Sequence, residues 1–400
     1  MSVNQQTLGN RVSPKHHVVF QLAVFCFWFS IYIYVPQFTV YLTNIGLSLT
    51  SIGIILGSYG ISQILLRFPL GLFANLLRGR QKSLLAVGFL TGFISGLLLV
   101  FSHSFILILI ARLLAGVTAS MWVTATILYA RYFSSNRSSQ AMSLLQFLTV
   151  FAQFISMMLC SYLTHRYGWS IPFWVGSIAS LLGLLMVFAI KEIDDEEGDH
   201  TDIPSITSTL KLVVQSKGLN GVTFLSFLTH SILFITMFGF SPLYASRLGG
   251  TGPSLDWLIC AFFVPHTLAS LLLSFFPLAN RASKWVLMSS YLLLVPILAW
   301  VPFSNSLLML CLLHVAMGLL LGFAFPILLG LVVKVSPPGI KMSAMGYYQS
   351  LYAVGIFLGP LVAGKIAQVS SLGTVFNFTA VLAALAFLLL LLKNVRPIKN

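Results

Sequence analysis

Few residues in this sequence could do chemistry, and those that could share one setting. Arg67, Arg112, His230, His266 and His314 each lie inside a long apolar run. An arginine at mid-depth of a bilayer costs about 2.5 to 3.5 kcal/mol on insertion scales, so such a group asks for a reason: anion recognition, pairing or transfer of charge. Histidine titrates near neutral pH and can carry a proton where no carboxylate does. No Asp or Glu lies within any of these runs, and Asp256 stands only at the edge of one. Nothing in them offers a nucleophile with its base, a metal cluster or a phosphate loop, so no enzyme, cofactor or metal is expected.

Each candidate has a structural reading beside the functional one. Arg67 sits toward one end of its run, where a long side chain can snorkel to the interface. Arg112 lies deeper and is a candidate for substrate-anion binding or coupling, against backbone-carbonyl pairing. A lone membrane histidine is more often a hydrogen-bonded packing residue than a ligand, but three in one half of the chain make a coupling role worth testing. Tyr32, Tyr34, Gln37, Gln146 and Gln349 lie away from the span ends, where tyrosines usually serve as anchors, and could form the polar lining of a midplane cavity. Tyr34, Gln37 and Tyr41 share a face by three- and four-residue spacing, as do Tyr348 and Tyr352. Pro36 would free a carbonyl and permit bending.

The elements that must position these groups are transmembrane helices. The 400 residues are 58% hydrophobic and 8% charged, with a mean hydropathy of +0.96, far from soluble composition. Apolar spans read at 18–43, 50–74, 83–102, 104–130, 138–163, 170–190, 218–246, 254–279, 284–303, 305–333, 341–366 and 371–392, each long enough for a helix to cross a bilayer and too long for a barrel strand. The first exceeds a signal-peptide core and has no small-residue cleavage site after it, so it is expected to remain as the first helix. Cys26, Cys160, Cys260 and Cys311 all fall in spans without metal-type spacing and imply no disulfide.

The net charge of +14 is explained by topology. With both termini cytoplasmic, 17 of the 22 Lys and Arg residues fall on the cytoplasmic side, as the positive-inside rule requires, and no nucleic-acid partner is implied. The expected organisation is a cytoplasmic tail over 1–17, a six-helix bundle over 18–190, an acidic linker over 191–217 holding seven of the eight acidic residues, a second six-helix bundle over 218–392, and a cytoplasmic tail over 393–400. The linker reads as solvated and mobile. The halves repeat: Ala141-Met142 with Gln146 recurs as Ala344-Met345 with Gln349 at an offset of 203, Arg112 with Gly116 as His314 with Gly318 at 202, and Ala74-Asn75 as Ala279-Asn280 at 205. Duplication of a six-helix unit accounts for all three.

Between the second and third spans the chain reads Gly71-Leu72-Phe73-Ala74-Asn75-Leu76-Leu77-Arg78-Gly79-Arg80-Gln81-Lys82. This resembles the loop motif G-x-x-x-D-R-x-G-R-K of the major facilitator superfamily, whose aspartate and basic residues latch the two halves and help control alternating access. Here Asn75 replaces the aspartate, Leu76 the next basic residue, and one extra residue precedes Gly79. Arg112 with Gly116 is similar to the family's R-x-x-x-G pattern on helix four, which lines the central cavity there. Gly355, Gly359-Pro360 and Gly364 on helix eleven are similar to the glycine-proline motif that antiporters of the family carry on helix five, which lacks it here, so antiport is not implied.

The resemblance implies an all-α polytopic membrane protein of twelve helices in two pseudo-symmetric bundles. It implies a secondary active transporter that alternates access in a bacterial cytoplasmic membrane, acting as a monomer on a small organic solute with a proton or other ion as coupling partner. Arginines without an embedded acid favour an anionic or zwitterionic metabolite, and general resemblance favours export. Multidrug efflux through an aromatic cavity is the alternative within the same class; a non-transporting membrane sensor or scaffold is the alternative outside it.

Overall fold

A computed structural model describes residues 12–74, 76–77, 79–133, 138–193, 205–250, 254–276, 278–336 and 340–392. Among the described residues twelve helices are long and apolar enough to cross a membrane: α1 (Pro14–Asn44), α2 (Leu49–Leu72), α3 (Gln81–Phe101), α4 (Phe105–Ala130), α5 (Leu144–Tyr167), α6 (Ser170–Ala189), α7 (Lys217–Arg247), α8 (Ser254–Leu273), α9 (Arg281–Phe303), α10 (Leu307–Val335), α11 (Lys341–Val369) and α12 (Leu372–Leu392). The protein is all-helical and multi-pass, as hydropathy predicts. Helical backbone continues past the α8 span to Phe275 and stops short of 279, since a residue before proline, here Phe276, disfavours helical backbone.

Within each half the third and sixth helices form the outer layer. Val87, Leu90 and Ile94 on α3, Ile178, Leu182 and Leu185 on α6, and Val381, Leu385 and Leu388 on α12 are exposed at helical spacing, the stripe expected where lipid is the solvent. The other helices pack inward and meet their counterparts across the interface between halves.

Two features of this packing decide where the site can be. First, α2 and α11 lie against one another from end to end. A Cβ added at Gly53 would stand 2.6 Å from Pro360 O, one at Gly71 2.6 Å from Gly346 Cα, and one at Gly364 2.7 Å from Leu49 O, so backbone meets backbone and only glycine fits. Second, the helices that open each half are both interrupted. Helix α1 breaks at Ile33 and Tyr34, ahead of Pro36, and α7 contains a π-helical segment, Thr236–Phe240, ahead of Pro242. Each proline lacks the N–H that would bond four residues back, which leaves a carbonyl free and the turn distorted. The offset of 203 carries Ile33 and Tyr34 onto Thr236 and Met237, so the repeat extends to the breaks themselves.

The linker is not irregular throughout. Ile206–Gln215 forms a helix whose N-cap Ser205 accepts a hydrogen bond from Ser208 N at 3.2 Å, and Val213 is buried on the body of the protein.

Candidate functional site

A cavity of about 90 Å³ lies between the halves, walled by residues of α1, α2, α4 and α5 from one half and α7, α8, α10 and α11 from the other. Nearly half of its lining residues are aromatic, with Trp28, Tyr32, Tyr59, Trp122, Phe234, Phe238, Phe262, Phe263, Phe325, Tyr348 and Tyr352. Beside the tyrosine hydroxyls the polar groups are Gln63, Arg67, Gln146, Thr149, Gln153, His230, His266 and Gln349.

Arg67 is not at the interface by snorkelling, as its place in the sequence suggests; it is 1% exposed and stands in the cavity wall. Its Nη2 donates to Ala119 O at 2.9 Å and its Nη1 makes a long contact with Gln349 O at 3.5 Å. The guanidinium lies 5.0 Å from the centroid of the Tyr352 ring, a cation–π contact. Its Nε has no partner among the described residues, and no carboxylate pairs with it there. The reason it turns inward is geometric. Gly60 and Gly71 on the same helix are seated against α11, and Gln63 and Arg67, one turn apart, fall on the neighbouring inward face.

Around the same space several polar atoms are buried without a partner among the described residues: Gln63 Oε1, His266 Nδ1, Trp28 Nε1 and both amide atoms of Gln349. Buried polar groups are nearly always hydrogen-bonded, so the unpaired atoms of these lining residues leave bonds that water or a polar ligand can satisfy. His230 differs from its neighbour. Its Nδ1 donates to Ser226 O at 2.8 Å, which leaves Nε2 to accept in the neutral ring, and its ring stacks on Tyr352 at 3.8 Å with 2° between planes.

The cavity is closed on one side. Toward the loop between α1 and α2, Thr39 Oγ1 donates to Gly239 O at 2.7 Å, Leu49 N donates to Gln368 Oε1 at 3.2 Å, and Cys260 Sγ lies 3.2 Å from Met158 Sδ. Toward the linker end, Gln146 and Leu329 also wall a second cavity of about 150 Å³ between α5, α8 and α10, which runs to Ser283 and Lys334.

A model of the Major Facilitator Superfamily matches residues 21–255 and 219–400. The chain belongs to that superfamily. It is 32% identical over 153 residues to the quinolone resistance protein NorA of Staphylococcus aureus strain MRSA252, an alignment covering 37% of this chain and 38% of that protein; the chain thus matches well under half the length of that relative. Two crystal structures share the superfamily fold at 17% identity: a mutant of the nucleoside transporter NupG, with a TM-score of 0.74 over 94% of this chain and 98% of the other, and the human organic anion transporter MFSD10, with a TM-score of 0.68 over 94% and 100%.

Of the residues singled out in the sequence, Tyr32, Gln146, His230, His266 and Gln349 meet at the central cavity, and Tyr34, Gln37, Arg112 and His314 do not. The break in α1 at Ile33 and Tyr34 separates Tyr32, which reaches the cavity, from Tyr34, Gln37 and Tyr41 beyond it, which do not. Arg112 Nη1 donates to Tyr34 Oη at 2.9 Å, and its guanidinium is 4.6 Å from the Tyr59 ring centroid. It borders a separate void of about 10 Å³, divided from the main cavity by Tyr32, Tyr59, Phe234 and Phe238, which wall both. His314 occupies the matching place in the second half. Its Nδ1 donates to Leu310 O at 2.8 Å and its Nε2 lies 2.9 Å from Ser241 Oγ, so both ring nitrogens are engaged. Each residue therefore ties the fourth helix of its half to the first, just beyond the break. Tyr59, Gln63, Gln153, Trp28 and Trp122 were not singled out; Gln63 carried a signal, being the one amide side chain of its helix and standing one turn before Arg67.

The superfamily motifs act in this chain through backbone contacts. Asn75 and Arg78 lie outside the described residues. Gly79 turns the loop at φ 72°, a conformation suited to glycine. Arg80 is exposed, and Lys82 Nζ donates to Phe188 O at 2.6 Å, within the same half. Among the described residues of the motif, Gly71 meets the other half: its carbonyl accepts from Ser343 Oγ at 3.2 Å. Gly116 seats α4 on Tyr59 and Ser62 of α2. Gly355 and Gly359 face α7, whereas Pro360 and Gly364 face α2, so the helix-eleven motif serves two neighbours at once.

Proposed function

We propose that this superfamily member is a secondary active transporter that moves a small organic anion or zwitterion, in the direction of export, by alternating access at the central cavity. The observation that carries the solute class is Arg67: a buried cation in the cavity wall with no carboxylate partner among the described residues. An unpaired guanidinium out of water is stabilised by a ligand that brings negative charge, and it repels a cation. His230 and His266 are the groups in the wall that could accept a coupled proton. The chain sits in a bacterial cytoplasmic membrane as a monomer with both termini inside; the basic residues Arg80, Lys82, Arg131, Lys191, Arg281, Lys284 and Lys334 at the linker end support that orientation. The second cavity then opens toward the cytoplasm, where an exporter loads.

A second reading, efflux of hydrophobic drugs, is favoured by the NorA relative and by the aromatic wall. The test compares small molecules inside and outside cells that overproduce the protein with cells that lack it, by untargeted mass spectrometry. An anionic or zwitterionic compound enriched outside is the expected result. A resistance profile across unrelated cationic drugs, with no such compound, would favour the second reading instead.

A further inference from the structure

The wall of the central cavity is polarised. On one side, Arg67 of α2 and Gln349 of α11 are each 1% exposed, and Arg67 Nε and both amide atoms of Gln349 lack partners among the described residues. They adjoin, since Arg67 Nη1 reaches the Gln349 carbonyl. On the other side stand Phe262 and Phe263 of α8 and Phe325 of α10, within about 6 Å of the His266 ring by centroids of 5.4, 6.3 and 5.8 Å. The space between is narrow, about 90 Å³.

We propose that this cavity takes a monocarboxylate with a flat aromatic body, the carboxylate on Arg67 and Gln349 and the ring against Phe262, Phe263 and Phe325. The inference rests on the transport reading and narrows its solute class. A single guanidinium neutralises one negative charge; a dianion would leave the second charge buried without a partner, which is strongly unfavourable. Arg67 Nε lacks a partner among the described residues and Nη1 is only weakly engaged, so the guanidinium keeps N–H groups free for a carboxylate, and the amide of Gln349 supplies a further donor. Aromatic side chains favour edge-to-face and offset contacts with another ring, an arrangement an aliphatic chain does not reproduce. Arg112 has no share in the site, because the Tyr32, Tyr59, Phe234 and Phe238 partition stands between.

The experiment titrates the purified full-length protein with four probes by calorimetry: phenylacetate, its neutral amide phenylacetamide, the cation phenethylamine, and acetate. Phenylacetate is expected to bind at least roughly tenfold more tightly than the other three, the loss expected when a charge-assisted contact or the ring is removed. Arg67→Gln is expected to weaken phenylacetate by a similar factor, Arg67→Lys to recover part of it, and Arg112→Gln to leave it unchanged. Binding of phenethylamine or phenylacetamide as tight as that of phenylacetate overturns the assignment of Arg67, and the probe series in the unaltered protein needs no variant to fold. Acetate binding as tightly as phenylacetate overturns the aromatic half. Export of a solute lacking a carboxylate or a ring overturns this inference and leaves transport standing; absence of any exported solute overturns both.

Discussion

Two arginines that look alike in sequence have different work. Arg67 faces the cavity, whereas Arg112 holds Tyr34 beside the break in α1, with His314 and Ser241 doing the same in the second half. Sequence reading sent Arg67 to the interface by snorkelling and left Arg112 open between anion binding and structural pairing, because depth in a span says nothing about which side of the helix a residue occupies. Arg112→Gln is expected to lower stability by about 1 to 3 kcal/mol, the cost of losing a buried charged hydrogen bond, and Tyr34→Phe to reproduce part of that loss. Thermal unfolding of the detergent-solubilised protein measures both, and unchanged stability in both variants would show that the pair does not hold the break. Outside the membrane, Tyr132 donates to Lys191 O at 2.6 Å where α4 nears the end of α6, and burial pushes its pKa up to about 12. The folded state favours the neutral phenol, so the stability it contributes is full below pH 10 and is lost as pH rises toward 12. Tyr132→Phe should remove that alkaline step from a pH series of unfolding temperatures.

At the scale of elements, glycine sorts into two kinds. Gly53, Gly71 and Gly364 leave no room for a Cβ, while Gly221 on α7 and Gly330 on α10 have nothing within 4 Å of the place one would occupy. Gly71→Val is expected to cost upward of about 1 to 3 kcal/mol through overpacking and to lower the yield of folded protein. Gly330→Ala should be tolerated. Equal yields would mean that α2 and α11 yield more easily than their contact suggests. The sequence marked Gly71 as part of a loop motif; its contact with α11 was beyond reach, since a motif has no partner until the chain is folded. The breaks were half legible. Pro36 announced one, but the π segment of α7 has no signature beyond Pro242 and was read as continuous helix.

For the molecule as a whole, hydropathy, basic-residue placement and an offset near 203 were enough to give twelve helices in two repeated halves. They were not enough to give the cavity, because lipid and protein interior are equally apolar and a membrane helix shows little contrast between its faces. Only the scattered polar residues mark the inward side, and Gln349, His266 and Gln146 were legible for that reason. The closed end gives a direct test of motion. Cys260 Sγ and Met158 Sδ are 3.2 Å apart across the halves, so Met158→Cys should form a disulfide with Cys260 under oxidant, stop transport, and recover with reductant. Transport that continues with the bond formed would place the opening elsewhere. The α2–α11 seam carries a consequence of another kind. Backbone pressed on backbone leaves no side chains between the helices to take up slack, so a change of access at this seam requires α2 and α11 to tilt past one another as rods rather than repack locally.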